Sequence, residues 1–262
     1  MKLMGFSFRR RKMVFLFVGV LVACFGIYLS SEIAAKELQR NECVFLVHGL
    51  GRTKHSMGVM KRHLKKEGYR VVSVSYDSRS LSVDDSVAEL KKAVSNELNS
   101  AKPPAKIHFV THSLGGILTR KILEKNAPEQ LGRVVMLSPP NHGSELPDKL
   151  GKIKLYRKVT GPAGMELGTE KDSYPNSMGA VKFSLGVITG DRSLNPLYSG
   201  CIPGKDDGKV SVDSAKVDGM ADFLVVHSSH TWIMNRKAVC KQVVYFLQNG
   251  EFESDKDCSA SI

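Results

Sequence analysis

The hydrophobic positions of this chain alternate between short continuous apolar runs and longer stretches with helical spacing. A short apolar run is typical of a strand buried on both faces of a sheet, whereas apolar residues at i, i+3, i+4 and i+7 indicate an amphipathic helix. The runs predict strands at residues 43–47, 69–76, 107–111, 134–137, 183–189 and 223–226.

Helical spacing falls between or after several of these strands. The predicted helix faces are Met57, Met60 and Leu64; Val83, Val87, Leu90, Val94 and Leu98; Leu114, Ile117, Leu118 and Ile122; and Trp232, Val239, Val243 and Leu247. This alternation predicts an α/β fold, a mostly parallel twisted sheet with helices on both faces. Right-handed crossovers bring the carboxyl ends of the strands to one edge, where we expect the functional site.

The chain begins with a basic cluster followed by an uncharged apolar segment, residues 13–30. Eighteen residues rise about 27 Å in a helix, enough to span the hydrocarbon core of a bilayer. Because the four basic residues 9–12 precede the segment, we expect them to stay in the cytoplasm. The remainder of the chain is then exported to the periplasmic or extracytoplasmic side.

Three interpretations of this segment remain open. It is an uncleaved signal anchor, a secretory signal cleaved near Ala34 and Ala35, or a lipoprotein signal in which Cys24 is lipidated. All three export the domain, and we expect it to be attached to the membrane. We therefore assign residues 1–35 to the anchor or signal segment and residues 36–262 to the folded domain.

Composition and charge support a folded domain. The 262 residues are 42% hydrophobic and 24% charged, values typical of globular proteins. The net charge is +12, but five of the positive charges lie within the first twelve residues. The excess that remains fits an anionic membrane surface at least as well as nucleic acid, so we expect no nucleic-acid partner.

Four cysteines lie beyond the apolar segment, at positions 43, 201, 240 and 258. In an oxidising compartment an even number is compatible with disulfides, and four cysteines allow three pairings. We favour Cys240 with Cys258, and free thiols are the alternative. The cysteines and histidines show no metal-ligand spacing, so we expect no metal site.

The segment THSLGG, residues 111–116, lies between a predicted strand and a predicted helix. A serine on such a sharp turn, here Ser113, has its hydroxyl lifted above the sheet at a helix N-terminus that stabilises negative charge. Gly115 provides the small residue that the turn needs, whereas Thr111 stands where the G-x-S-x-G pattern has glycine. The segment predicts a nucleophilic serine, and an ordinary strand-to-helix turn is the alternative.

A second segment, HGLG at residues 48–51, follows the first strand. Its glycines allow the backbone to approach a substrate. We expect the backbone N–H groups of Leu50 and Leu114 to form an oxyanion hole. His48 and His112 are expected to have structural roles, with His112 packed behind the serine turn.

A base and an acid are expected in loops near the last strands. His230 follows the last strand, and we favour it as the base over His227. For the acid we favour Asp207, with Asp206 and Asp191 as alternatives. The chain order serine, aspartate, histidine suits this architecture, although aspartates are also common in turns.

From about residue 43 to residue 248 the chain resembles the lipase-like serine branch of the α/β-hydrolase family. The stretches that carry the resemblance are VFLVHGLG, FVTHSLGGIL, DDGKVSV and HSSHTWIM. The resemblance implies Ser113 as nucleophile, Asp207 as acid and His230 as base. It also implies oxyanion donors at Leu50 and Leu114, and hydrolysis of ester, thioester or amide bonds without a metal or organic cofactor.

The expected substrate is an apolar acyl ester or lipid near the membrane. Alternatives are an acyltransferase or thioesterase with the same residues, a non-catalytic protein that keeps the scaffold, or an envelope protein whose membrane segment is the functional part. Residues 144–182 are expected to form a cap over the site. Part of this segment is basic and is expected to face the membrane or an anionic lipid, with a solvated helix face as the alternative; its basic residues are Lys149, Lys152, Lys154, Arg157 and Lys158. The oligomeric state remains open.

Overall fold

The computed structural model of the protein describes residue 15 and residues 40–254. Within these residues six strands form one parallel sheet, with the spatial order β2-β1-β3-β4-β5-β6. The strands are β1 (Glu42–Val47), β2 (Arg70–Ser73), β3 (Lys106–His112), β4 (Leu131–Leu137), β5 (Leu185–Gly190) and β6 (Asp222–Val226). The predicted parallel sheet is confirmed.

Helices connect the strands and cover the sheet. They are α1 (Gly58–Lys66), α2 (Val83–Leu98), α3 (Leu114–Leu123), α4 (Glu145–Leu150), α5 (Lys154–Met165), α6 (Pro196–Ser199), α7 (Val212–Ala215) and α8 (Lys237–Asn249). Short 3₁₀ turns at Lys54–Met57 and Ile233–Asn235 precede α1 and α8.

Alternate residues of the central strands belong to two separate hydrophobic clusters, one on each face of the sheet. On β1, Phe45 and Val47 pack in the cluster that contains the buried faces of α2 and α3. Val44 and Leu46 pack in the cluster that contains those of α1 and α8. Helices therefore cover both faces, which is why the central strands are continuously apolar in sequence.

Two sequence predictions differ from the observed elements. β2 is shorter than the predicted 69–76, because it is an edge strand whose four residues are only half-buried. The placement of Trp232 on the last helix is wrong: α8 begins at Lys237, and Trp232 is 57% exposed. Ile233 and Met234 enter the core instead of the tryptophan.

The predictions for the amino-terminal segment remain untested. Among the described residues, no helix combines the length and the apolar character needed to cross a bilayer. The segment at residues 13–30 lies outside the described residues apart from Phe15, and so does Cys24. Over the same described range, no disulfide joins Cys43, Cys201 and Cys240 to one another. Cys258 lies outside it, so its pairing with Cys240 stays a prediction.

A buried arginine on helix α3 ties the chain just before the 144–182 segment to the chain near the end of that segment. Arg120 donates from Nη1 to the backbone and side-chain oxygens of Asn141, at 2.9 and 3.1 Å. Its Nη2 donates to the carbonyl oxygens of Met178 and Gly179, at 3.3 and 3.2 Å. The chain at residue 141 and the chain at residues 178–179 therefore meet at one side chain of the helix that follows Ser113.

A buried histidine near the start of β3 makes the stability of the fold depend on pH. Nδ1 of His108 accepts a hydrogen bond from the backbone N–H of Arg133 at 2.9 Å. Burial, reinforced by the charges of Arg133, Lys106 and Arg40, lowers the pKa of His108 to about 4. As the pH falls, His108 therefore takes up a proton in the unfolded chain before it does so in the folded protein. The free energy of unfolding is thus highest above pH 6.5 and decreases towards pH 4.

We expect His108→Asn to reduce this pH dependence. Asparagine keeps a hydrogen-bond acceptor near the Nδ1 position but does not titrate. The native protein is expected to lose on the order of 3 kcal/mol of unfolding free energy between pH 6.5 and 4 through His108, and the variant is expected to keep it. Urea unfolding of both proteins across this range measures the effect. Equal slopes of unfolding free energy against pH in the two proteins would contradict it.

Candidate active site

Ser113 occupies a one-residue turn between β3 and α3. Strand β3 ends at His112 and α3 begins at Leu114, so the chain reverses at the serine. Ser113 has a φ of 54° and a ψ of −124°, a conformation that costs energy for a residue with a side chain. Its backbone N–H donates to the carbonyl oxygen of Leu137 on β4, at 2.9 Å, which holds the turn against the sheet.

Two glycines allow the close contacts around this turn. A Cβ on Gly115 would lie 2.5 Å from the carbonyl oxygen of Val47, and a Cβ on Gly49 would lie 2.9 Å from Cβ of Ser113. The end of β1 and the start of α3 are therefore in direct backbone contact. Thr111, which departs from the glycine pattern, is buried in β3, and its Oγ1 would lie 3.4 Å from a Cβ on Gly116.

The structure brings together the serine, histidine and aspartate favoured from the sequence. Nε2 of His230 lies 3.0 Å from Oγ of Ser113, and Nδ1 of His230 lies 2.8 Å from Oδ2 of Asp207. Because an ionised carboxylate only accepts hydrogen bonds, Nδ1 carries the proton. Nε2 is then the acceptor for the serine hydroxyl.

Asp207 is buried and has donors at both carboxylate oxygens. Its Oδ1 accepts hydrogen bonds from the backbone N–H groups of Lys209 and Val210, at 3.0 and 2.9 Å. Burial alone would raise the pKa of Asp207, but the charge and hydrogen bond of His230 and the N–H of Val210 outweigh it and lower the pKa. The aspartate is therefore held ionised beside the imidazole.

The alternative acids and base lie apart from Ser113. Asp206 accepts hydrogen bonds from the hydroxyl of Ser199 and the backbone N–H of Gly208, which is turn chemistry. Asp191 lies 3.1 Å from Nδ1 of His227, and this histidine is largely exposed. These alternatives therefore either stabilise loops or pair with each other.

Both histidines expected to be structural are buried. His112 lies behind the turn, with Nε2 2.9 Å from the carbonyl oxygen of His230. Burial, together with the charge of His230, lowers the pKa of His112 well below its usual value, so the ring is neutral and Nε2–H is the donor. His48 stacks on the ring of Tyr76 at 4.2 Å, and the hydroxyl of Tyr76 donates to the carbonyl oxygen of His48.

The two expected oxyanion donors flank Ser113. Leu114 is the first residue of α3, and the backbone N–H groups of a first helical turn have no partner within the helix. Leu50 follows β1 and lines the cavity into which Ser113 opens. Strands β1 and β3 are neighbours in the sheet, so both loops lie at the same carboxyl edge.

A cavity of about 620 Å³ lies above Ser113 and His230. Leu146, Leu150 and Leu167 of the 144–182 segment form part of its mainly apolar wall, and Leu197 and Val210 close other sides. A volume of this order is common in small-molecule sites. Among the described residues, no group of three or more histidine, cysteine or acidic side chains is placed to hold a metal ion.

Lys209 also lines this cavity, and the sequence did not single it out. It stands in a short polar stretch rich in aspartate, glycine and lysine. Only the folded arrangement, which places it in the wall of the cavity that Ser113 and His230 also line, distinguishes it from the surface lysines.

Solved structures with similar folds include lipases and esterases. The mature lipase BlEst2 from Bacillus licheniformis has a TM-score of 0.62 and 19% identity, over 78% of this chain and 91% of that one. The phospholipase PlaB from Legionella pneumophila has a TM-score of 0.61 and 20% identity, over 84% of this chain and 61% of that one, so this chain spans less than two thirds of its length. The metagenomic carboxyl esterase MGS0156 has a TM-score of 0.55 and 17% identity, over 74% and 66%.

These similarities, with the parallel sheet and its helices, show the α/β-hydrolase fold. Residues 28–168 match the family described as "Domain of unknown function (DUF7379)", and the chain belongs to that family. No curated protein matches the sequence.

We expect Gly115→Ala to destabilise the protein by several kcal/mol and to displace Ser113. The added Cβ would lie 2.5 Å from the carbonyl oxygen of Val47 and 2.8 Å from that of His48, and backbone atoms of a central strand have little room to move. Gly179→Ala is the matched control, because a Cβ there meets nothing within 4 Å. Urea unfolding measures both variants, and equal unfolding midpoints would contradict the expectation.

Proposed function

We propose that the protein is a serine hydrolase that cleaves acyl esters through an acyl-enzyme intermediate. The observation that carries the proposal is the hydrogen-bonded chain from Ser113 Oγ through His230 to Asp207, with distances of 3.0 and 2.8 Å. This chain opens into an apolar cavity large enough for an acyl group. The lipase and esterase fold of similar structures supports the same reaction class.

In the first step, Oγ of Ser113 attacks the carbonyl carbon of the ester while its proton passes to Nε2 of His230. The ionised Asp207 stabilises the imidazolium that forms. The N–H groups of Leu50 and Leu114 bind the negative oxygen of the tetrahedral intermediate. When the intermediate collapses, the proton on Nε2 passes to the leaving alkoxide, and the acyl group stays on Oγ.

In the second step, water attacks the acyl-enzyme while Nε2 accepts one of its protons, and Oγ leaves with that proton restored. A hydroxyl compound in place of water would make the protein an acyltransferase, and a thioester in place of the ester would make it a thioesterase. Hydrolysis of esters is the proposal, and the other two reactions are outcomes that a substrate comparison distinguishes.

We further propose that the 144–182 segment is a cap that faces an anionic membrane, and that the domain is exported and attached there by the amino-terminal segment. Ile153, Leu155 and Val159, at the rim of the cavity, are between 52% and 69% exposed. Their exposure beside Lys152, Lys154 and Lys158 supports this proposal, because interfacial surfaces combine apolar and basic side chains. Lys149 and Arg157 instead donate to the carbonyl oxygens of Cys201 and Gly151.

We expect Ser113→Ala to abolish ester hydrolysis and labelling by a fluorophosphonate probe. The variant lacks the atom that forms the covalent bond, so kcat/KM for p-nitrophenyl esters falls by on the order of 10⁴-fold or more. The assay uses the full chain in detergent, with acyl groups from acetyl to palmitoyl. Activity that rises with acyl length supports a lipid-sized acyl group.

Ser86→Ala is the matched control, because Ser86 is a buried serine on α2 whose hydroxyl bonds to the carbonyl oxygen of Ser82. We expect it to retain both labelling and hydrolysis. Absence of labelling in the native protein would overturn the proposal and favour a non-catalytic scaffold. Labelling without hydrolysis of any ester would favour a different acyl donor or acceptor.

We expect replacement of Lys152, Lys154 and Lys158 by glutamine to remove a preference for anionic interfaces. Each lysine near an anionic surface contributes about 1 kcal/mol, so the three together change the apparent affinity by on the order of 100-fold. The measurement is hydrolysis of an ester in mixed micelles as the fraction of anionic lipid increases. Replacement of Lys65, Lys66 and Lys92, exposed on other helices, is the control. An unchanged dependence on anionic lipid would refute the membrane-facing cap.

A further inference from the structure

The charge of the cavity wall is unbalanced. Of the described residues that line it, Lys209 is the only lysine or arginine, and no aspartate or glutamate lines it. The remaining lining residues are mainly apolar, with a few hydroxyl groups and His230. A single lysine in a mainly apolar wall therefore shares the cavity with the serine that the proposed reaction uses.

The backbone of Lys209 is held firmly at this position. Its N–H donates to Oδ1 of Asp207 at 3.0 Å, and its carbonyl oxygen accepts a hydrogen bond from the hydroxyl of Ser144 at 2.7 Å. These bonds join it to Asp207 on one side and to the start of the 144–182 segment on the other. Replacement of its side chain leaves both backbone bonds available.

The ammonium group of Lys209 has no ion pair and no side-chain hydrogen bond with any residue that the structure describes. Burial, and then the charge of Arg52, lower the pKa of Lys209, while the charge of Asp207 raises it. Arg52 follows the oxyanion loop and is likewise without an ion pair among the described residues. A half-buried cation that no carboxylate contacts is costly, and an anion placed beside it reduces that cost.

We propose that Lys209 binds an oxyanion that the substrate carries close to its scissile ester. The inference rests on the proposed function and specifies its substrate as an anionic acyl ester. The apolar wall holds the acyl chain, and the ammonium group holds a phosphate or carboxylate on the alcohol part. Phosphate and carboxylate share the chemistry that Lys209 recognises, and substrates of both kinds distinguish them.

The test compares soluble hexanoyl esters of which one member carries the anionic group and the other is its neutral counterpart. Dihexanoyl phosphatidate is paired with neutral dihexanoylglycerol, and the hexanoyl ester of glycolic acid with that of methyl glycolate. Release of hexanoate by the full chain gives kcat/KM for each. The native protein is expected to favour the anionic member of at least one pair by about 10- to 100-fold, the effect of one charge-assisted hydrogen bond.

Variants at position 209 separate recognition from an effect on the triad. We expect Lys209→Met to reduce the ratio of anionic to neutral kcat/KM to near one, and Lys209→Arg to keep most of it. Lys205→Met, an exposed lysine of the same loop, leaves the ratio unchanged. If Lys209 acted only through Asp207 and His230, the methionine variant would slow both members of a pair equally and the ratio would remain.

The outcomes distinguish this inference from the proposed function. If the native protein hydrolyses the neutral esters as well as the anionic ones, the oxyanion site is overturned and the proposed function stands. The same holds if Lys209→Met keeps the native ratio of anionic to neutral kcat/KM. Labelling by the fluorophosphonate probe without cleavage of any of these esters overturns the substrate class. Failure of both labelling and cleavage overturns the proposed function as well.

Discussion

The contact between the end of β1 and the start of α3 is the constraint on which the rest of the site depends. A Cβ at Gly115 would meet the carbonyl oxygen of Val47, so only a glycine lets the helix begin this close to the neighbouring strand. Because β1 and α3 are so close, the chain must reverse at Ser113. The positive φ that this reversal requires costs conformational energy. The hydrogen bond from its N–H to β4 supplies part of the compensation. The loops after β1 and β3 are therefore in contact at the carboxyl edge of the sheet.

The loop that follows β5 completes the site by electrostatics. Asp207 is buried, yet donors at both carboxylate oxygens and the adjacent imidazole keep it ionised. His112 contributes a neutral ring that binds the carbonyl oxygen of His230 and so fixes the backbone of that histidine. During the proposed reaction, the negative charge of Asp207 and the positive charge of the His230 imidazolium neutralise each other. Lys209 lines the cavity and has no ion pair among the described residues.

Continuous apolar runs and helical spacing were sufficient to predict the sheet, because both signals report burial directly. The turn at Ser113 was also predictable, since it is local and its residue types are restricted. The choice among Asp191, Asp206 and Asp207 was less secure, because all three stand in polar loops whose meeting point with His230 depends on the whole sheet. Trp232 was misplaced because a large apolar side chain matched the helical spacing beyond the true start of α8. The significance of Lys209 depends on a cavity, and a cavity has no local sequence signature.

Arg120 has a consequence for how this protein can diversify. Its guanidinium joins Asn141 to Met178 and Gly179, so the stretch between them is a closed loop fastened to the scaffold at its base. Lengthening a loop whose ends are already fixed adds little entropic cost to folding, because that cost grows only with the logarithm of loop length. Insertions and deletions within the loop can therefore accumulate across generations without disturbing Ser113. The fold thus separates a loop that evolution can rewrite, which forms part of the cavity wall, from the reacting groups that it must keep.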